Sequence, residues 1–318
     1  MRKQTRKRWM AWLLMLIMAV SLLPGTAANL LPGTGLTALA AEDDENPSGG
    51  VVHSTDKDAE DTHPQGRMRT PAAPTATVYQ NVHVNGVTLG DGKYLASNSA
   101  TTASSSSTEP SSYVAWYKNG VLTLKNYNGK QIQVYGIPKS DLTVKLKGSN
   151  IITSSYRGGI IQNGNGGSIT VTADSSSGKL TINATYSYSV AGIANGGSAS
   201  EIPGDVTIKG YADVTIKAKT TGNSSNQGYG IYAKNAFVLD NASVDITCET
   251  PNRTSGSLCH GIYAKETASI NTAGKIKIDV TNAGKEDAYS YGIYVAGRSL
   301  TLTKAAEMVV EWRKGAAA

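Results

Sequence analysis

Histidine and cysteine are scarce: four histidines and two cysteines in 318 residues. That scarcity excludes a disulfide-dense scaffold and leaves little for a Cys/His zinc site. Cys248 and Cys259 are separated by ten residues, with His260 alone beside them, and this is not zinc-ligand spacing. Both a disulfide across the intervening polar loop and two free thiols are compatible with an exported chain. His53 and His63 fall in a polar segment and His83 in a hairpin, so no Ser-His-Asp set can be assembled. Long apolar runs are missing too. The longest, WMAWLLMLIMAVSLL at residues 9–23, is shorter than the ~20 residues a membrane-spanning helix needs. No helical stripe appears anywhere, and Gly164, Gly166 and Gly167 do not fit the GxGxxG phosphate pattern. No cofactor is implied.

The apolar run follows five basic residues (Arg2, Lys3, Arg6, Lys7, Arg8) and precedes Ala38-Leu39-Ala40-Ala41. A basic start, a short apolar run and an A-x-A site are the parts of a secretory signal peptide, assigned to residues 1–41 with cleavage after Ala40 or Ala41. Residues 31–35, LPGTG, fit the pattern that sortases cut, but a wall-sorting signal needs a hydrophobic stretch and a basic tail at the C-terminus. The C-terminal sequence here is MVVEWRKGAAA. The pentapeptide is therefore expected to leave with the signal. Residues 1–41 hold five of the 30 basic residues and none of the 24 acidic ones, so the mature chain carries 25 against 24, a net of +1. Neither nucleic acid nor an anionic membrane is implied as a partner, and no membrane span remains after signal removal. Secretion to the extracellular space or cell surface is the expected localisation.

Residues 42–76 are acidic, proline-containing and almost free of large apolar groups, a composition that cannot offset the entropy of ordering. They are expected to be a disordered linker. From residue 77 apolar residues alternate around Asn85-Gly86, Asp91-Gly92 and Asn119-Gly120, dipeptides that tolerate positive φ and favour hairpins. Residues 77–128 are accordingly assigned to a β-hairpin cap.

Residues 129–314 repeat. Gly-Ile recurs at Gly136, Gly159, Gly192, Gly230, Gly261 and Gly292, the last three as YGIYAK, HGIYAK and YGIYVA at intervals of 31. Two more short alternating runs follow each pair. Three short strands per repeat, joined by Gly, Asn and Ser turns, predict a β-solenoid. Parallel crossovers are nearly always right-handed, so the expected fold is all-β, a right-handed parallel β-helix. A β-sandwich would not give so regular a recurrence. Ile137, Ile160, Ile193, Ile231, Ile262 and Ile293 should point inward from the first strand, and Leu180, Ile182, Val214, Ile216, Val244, Ile246, Ile276 and Ile278 from the third.

The stretches VNGVTLGDGKYL, NGVLTLKNYNG and DLTVKLKGSNIIT, followed by the Gly-Ile units, resemble exported, largely uncharacterised surface proteins of gut Firmicutes with pectin-lyase-like β-helices. These often stand beside carbohydrate-binding modules. The resemblance covers residues 77–312. It implies fold and location but carries over no active site.

Polysaccharide lyases and glycosidases of this architecture need acids clustered on neighbouring coils. Counted from each coil's glycine, Asp205, Asp240, Asp245, Glu266 and Asp279 fall at different offsets. Aligning the third strands instead sets Asp245 beside Lys277 and Lys219 beside Glu249, which reads as a solvated face. What recurs is aromatic. Tyr232, Tyr263 and Tyr294 follow the three glycines by two residues, and Tyr229, His260 and Tyr291 precede them by one. With the isoleucines inside, the first column faces outward as a ladder of substantially exposed rings. The second column's direction is open, because the glycine can mark a corner. Such a ladder suits stacking on sugars. The expected function is a non-enzymatic protein of display or adhesion, with these six residues binding glycans or host or bacterial surface polymers. A polysaccharide lyase or glycoside hydrolase is the alternative, and a purely structural stalk is a third reading.

Overall fold

A computed structural model describes residues 36–38, 81–136, 141–164, 167–195, 204–222, 226–250, 258–282, 289–297 and 299–314. Most of the assigned signal peptide, all of the assigned linker and residues 77–80 lie outside them. The described chain is all-β, a parallel β-helix of about five turns, with strands only.

One face is built by Ile132–Gly136, Gly158–Gly164, Val190–Asn195, Gln227–Ala233, Leu258–Ala264 and Tyr289–Val295, each parallel to the next. A second face runs parallel from Val121–Lys125 through Leu142–Lys147, and a third from Asn128–Gly129 through Ser149–Ser154. In the last two coils the second and third strands become one. Thr267–Asn282 and Ser299–Lys314 each run through the corner, with a register irregularity between Thr272 and Lys275. The buried Thr272 hydroxyl donates to the Ala242 carbonyl at 2.6 Å and accepts from Gly274 N at 2.9 Å, keeping the bent strand attached to the coil below. Leu36–Ala38 pairs antiparallel with Leu300, Thr301 and Leu302 on the last strand.

The interior is the β-branched and leucine lattice that alternation dictates. Leu180, Ile182, Val214, Ile216, Val244, Ile246, Ile276 and Ile278 are all buried, as are Ile160, Ile193, Ile231 and Ile262; Ile293, in the last coil, is partly buried. The first position of this column is filled by a residue other than the expected Ile137. The residue in register with Ile160 is Ile132, which is fully buried, and Ile137 lies outside the described residues. The first coil thus carries the interior isoleucine after Gln131 rather than after a glycine, and the recurrence of the dipeptide pointed to the wrong residue.

From the second coil onward the glycine has a steric cause. A Cβ at Gly159, Gly192, Gly230, Gly261 or Gly292 would overlap a γ-methyl of Ile182, Ile216, Ile246, Ile278 or Val310 respectively, the facing β-branched residue of the same coil. Glycine and isoleucine therefore both face the interior in succession, breaking the period of two.

The cap closes the first coil. Asn81–Val84 pairs antiparallel with Val87–Leu89 and, on its other side, with Ile132–Gly136. Asn85-Gly86 and Asn119-Gly120 are tight hairpin turns with positive φ at both positions. Asp91-Gly92 is a turn but not a hairpin, because Val87–Leu89 and Lys93–Leu95 belong to different sheets. The Asp91 carboxylate accepts from Lys118 Nζ at 2.8 Å and from Asn119 N at 2.6 Å, holding that crossing in place.

Candidate functional site

The Gly-Ile break decides where the aromatic side chains go. Under strict alternation residues 229 and 232 would lie on opposite faces of their strand. With Gly230 and Ile231 both inward, Tyr229 and Tyr232 emerge on the same outer face, their rings 5.0 Å apart edge to face. The next two coils repeat this, so two ring columns stand side by side.

Both columns are in register. Tyr232, Tyr263 and Tyr294 pair in sequence, with ring centroids 5.0 and 5.6 Å apart and planes within 5° and 25°. Tyr229, His260 and Tyr291 do the same, with centroids 5.4 Å apart at both steps and planes within 10° and 14°. The spacing follows the ~4.8 Å between strands. The rings face outward as expected, but Tyr232, Tyr263 and Tyr294 are half-buried rather than substantially exposed, because each ring covers its neighbour.

His260 lies at the centre, 2 % exposed, stacked between Tyr229 and Tyr291 and touching Tyr263 and Tyr294 from the side. Its buried Nδ1 meets no donor or acceptor of the protein. Burial holds the imidazole at a pKa of about 4, so it is neutral at physiological pH. Burial likewise pushes the phenols of Tyr229, Tyr232 and Tyr263 above their ordinary value.

The columns do not continue into the preceding coil. In register with Tyr229 and Tyr232 stand Ala191 and Ala194, only 5 % and 7 % exposed, and Ile161 follows Ala194 one coil further on. The two tyrosines pack against this small apolar cluster. The result is a groove of about 1080 Å³ lined by the ring columns as far as Tyr291 and Tyr294 in the last coil and by the two alanines beside their first rings. Tyr186, Tyr188 and Arg157 line its other side. Tyr186 bridges Tyr156 and Tyr188 at 5.2 and 5.5 Å, and the Arg157 guanidinium lies 5.3 Å from the centre of the Tyr156 ring.

The sequence reading named the six rings and missed the floor that the alanines form and the far wall. The signal was present, since AGIA at residues 191–194 aligns with YGIY at residues 229–232. Tyr186 and Tyr188 belong to no recurring motif.

Cys248 and Cys259 are free, fully buried thiols, with Cys259 Sγ donating to Cys248 Sγ at 2.9 Å beneath this face. Burial, together with that contact, raises the Cys248 thiol well above its ordinary pKa.

The charges align as the strand register required. Lys219 pairs with Glu249 at 2.9 Å, and Asp245 is in register with Lys277. Asp279 stands beside Glu311 on the third face, a juxtaposition not visible when offsets are counted from the glycines, and neither acid lines the groove. Among the described residues there is no cluster of three or more His, Cys, Asp or Glu that could hold a metal, and no helix long and apolar enough to cross a membrane. No family model, curated protein or solved structure matches the chain.

Proposed function

We propose that this is an exported surface protein that binds glycans, without catalysis, through the aromatic face of its β-helix. The observation that carries the reading is the groove: outward, in-register rings of tyrosine and histidine along it, small apolar residues on the floor beside the first of them and further tyrosines opposite. Aromatic faces, apolar floor and phenol hydroxyls are the complement of a sugar, which has an apolar ring face and a polar rim. The resemblance to pectin-lyase-like surface proteins of gut Firmicutes supports the same location, with host or bacterial surface polymers as the partners.

A structural-stalk reading draws on the same rings, because stacked, half-buried tyrosines also stabilise a solenoid. A glycan array probed with the secreted protein separates the two. Binding is expected, with loss on replacing Tyr232 by Ala; an array with no bound glycan overturns the proposal and leaves the stalk.

A further inference from the structure

The stacking that builds the columns also consumes them. Each ring uses its two faces on the rings above and below, and solvent meets mainly its edge. Tyr263 lies between Tyr232 and Tyr294, and His260 between Tyr229 and Tyr291, so neither middle ring has a face to offer a ligand. Sugars stack on faces. Free faces therefore occur only where a column ends.

One end is the step to the preceding coil. Among the described residues no ring lies on the far side of Tyr229 or Tyr232; the register there is held by Ala191 and Ala194. Resting on this glycan-binding reading, we infer that the ligand site is this step, and that one pyranose ring occupies the place where the next aromatic residue of the ladder would lie. The sugar's apolar face covers Tyr229 and Tyr232 above the small apolar cluster on which the two rings rest, and a longer side chain at Ala191 or Ala194 would take up that place. The rest of the glycan runs toward Tyr186, Tyr188 and Arg157, which also line the groove and carry the hydrogen-bonding groups a sugar's hydroxyls need. In this assignment the ladder is a scaffold that presents its first two rings, and Tyr263 and His260 position them without touching the ligand.

The other end is in the last coil, where Tyr291 is 38 % exposed and Tyr294 ends its column. Those rings line the same groove, but there Tyr289 already stacks on Tyr291, at 6.5 Å, whereas at the step the register places only small side chains beside the rings.

The test is to complete the ladder with the protein's own side chain. Ala194→Tyr in the secreted protein sets a ring in register with Tyr232 and fills the step. The probes are hexamers of β-1,4-linked glucose, β-1,4-linked mannose and α-1,4-linked glucose, with a galacturonate hexamer as an acidic arm, titrated calorimetrically. At least one hexamer is expected to bind the parent. Ala194→Tyr should weaken it at least tenfold with an unchanged or higher melting temperature, and Tyr294→Leu should leave affinity within twofold. If Ala194→Tyr melts early, Ala194→Leu fills the step with less bulk and is read in its place. A parent that binds no hexamer and no array glycan removes the glycan-binding reading itself. A parent that binds, with Ala194→Tyr and Ala194→Leu binding as tightly, overturns the step and leaves that reading standing. Loss in Tyr294→Leu alone moves the ligand to the other end and also overturns the step.

Discussion

The face that carries the groove divides into halves with the same inside and different outsides. Its first three strands hold Ile132, Ile160 and Ile193 in the interior column, and its last three hold Ile231, Ile262 and Ile293. Outward, the first half shows Gln133, Ile161 and Ala194, and the second shows Tyr232, Tyr263 and Tyr294 in the same register. The strands pair in the same register throughout, and only the first coil departs inside, with Gln131 where the later coils have glycine. The interior therefore specifies the coil, and the outer positions are free to carry chemistry. The boundary between the halves, at Ala194 and Tyr232, is where the groove forms.

The comparison breaks most severely at the glycines. Gly261→Val places a side chain into Ile278 and into the backbone of the next coil, and Gly159→Val does the same to Ile182. Each is expected to cost about 3 kcal/mol or more, because the overlapped atoms are buried and partly backbone. The sharpening feature is equality: chemical unfolding should find the two penalties alike, since the interior is alike in both halves. A mild effect in one half only would show that the interiors differ.

The second expectation belongs to the aromatic half alone. His260 is displaced by burial to a pKa of about 4, while the unfolded chain takes up the proton near the ordinary value of 6.5. The unfolded state then binds more protons between these values. The stabilisation is fully present above pH 6.5 and is lost as pH falls through about 4, amounting to about 3 kcal/mol in all. Thermal melts from pH 7.5 to 3.5 should show this decline, and His260→Tyr, which makes its column uniform, should remove most of it. An equal decline in both proteins would place the titrating group elsewhere.

A smaller difference is expected between stacked and solitary rings. Tyr263→Ala removes the middle of a column and breaks two stacks, at a cost of about 2 kcal/mol. Tyr135, in the first half, is exposed, meets the His83 ring edge to face at 5.1 Å and donates to Gln133 Oε1 at 2.6 Å, so Tyr135→Ala should cost about 1 kcal/mol or less. Denaturation midpoints of the two variants check the ranking. Least of all, Lys219→Ala opens an exposed ion pair with Glu249 and should change stability by less than about 0.5 kcal/mol.

How much of this the sequence discloses depends on which rule governs each residue. Interior residues obey alternation and recurrence together, so Leu180 through Ile278 could be placed without coordinates. Ile137 could not, because its glycine matched the motif while the register belonged to Ile132. Tyr232 was placed outward by alternation from Ile231, but Tyr229 was left open. Its direction depends on Gly230 pointing inward, a fact about the space beside Ile246 rather than about the strand that carries it. The floor of the groove was the least legible part, since alanine carries no chemistry of its own and acquires a role only from the rings in the coil beside it.

The meeting of each glycine with a β-branched residue of its own coil has a consequence for how such a chain is inherited. A segment running from one glycine to the next carries both the notch and the tooth that fits it. Copied in tandem, it brings a complete interior and needs no adjustment in the coils on either side. Lengthening the ladder by one ring is then a matter of duplicating a stretch of DNA, and the near-identity of YGIYAK, HGIYAK and YGIYVA has the form such copying would leave.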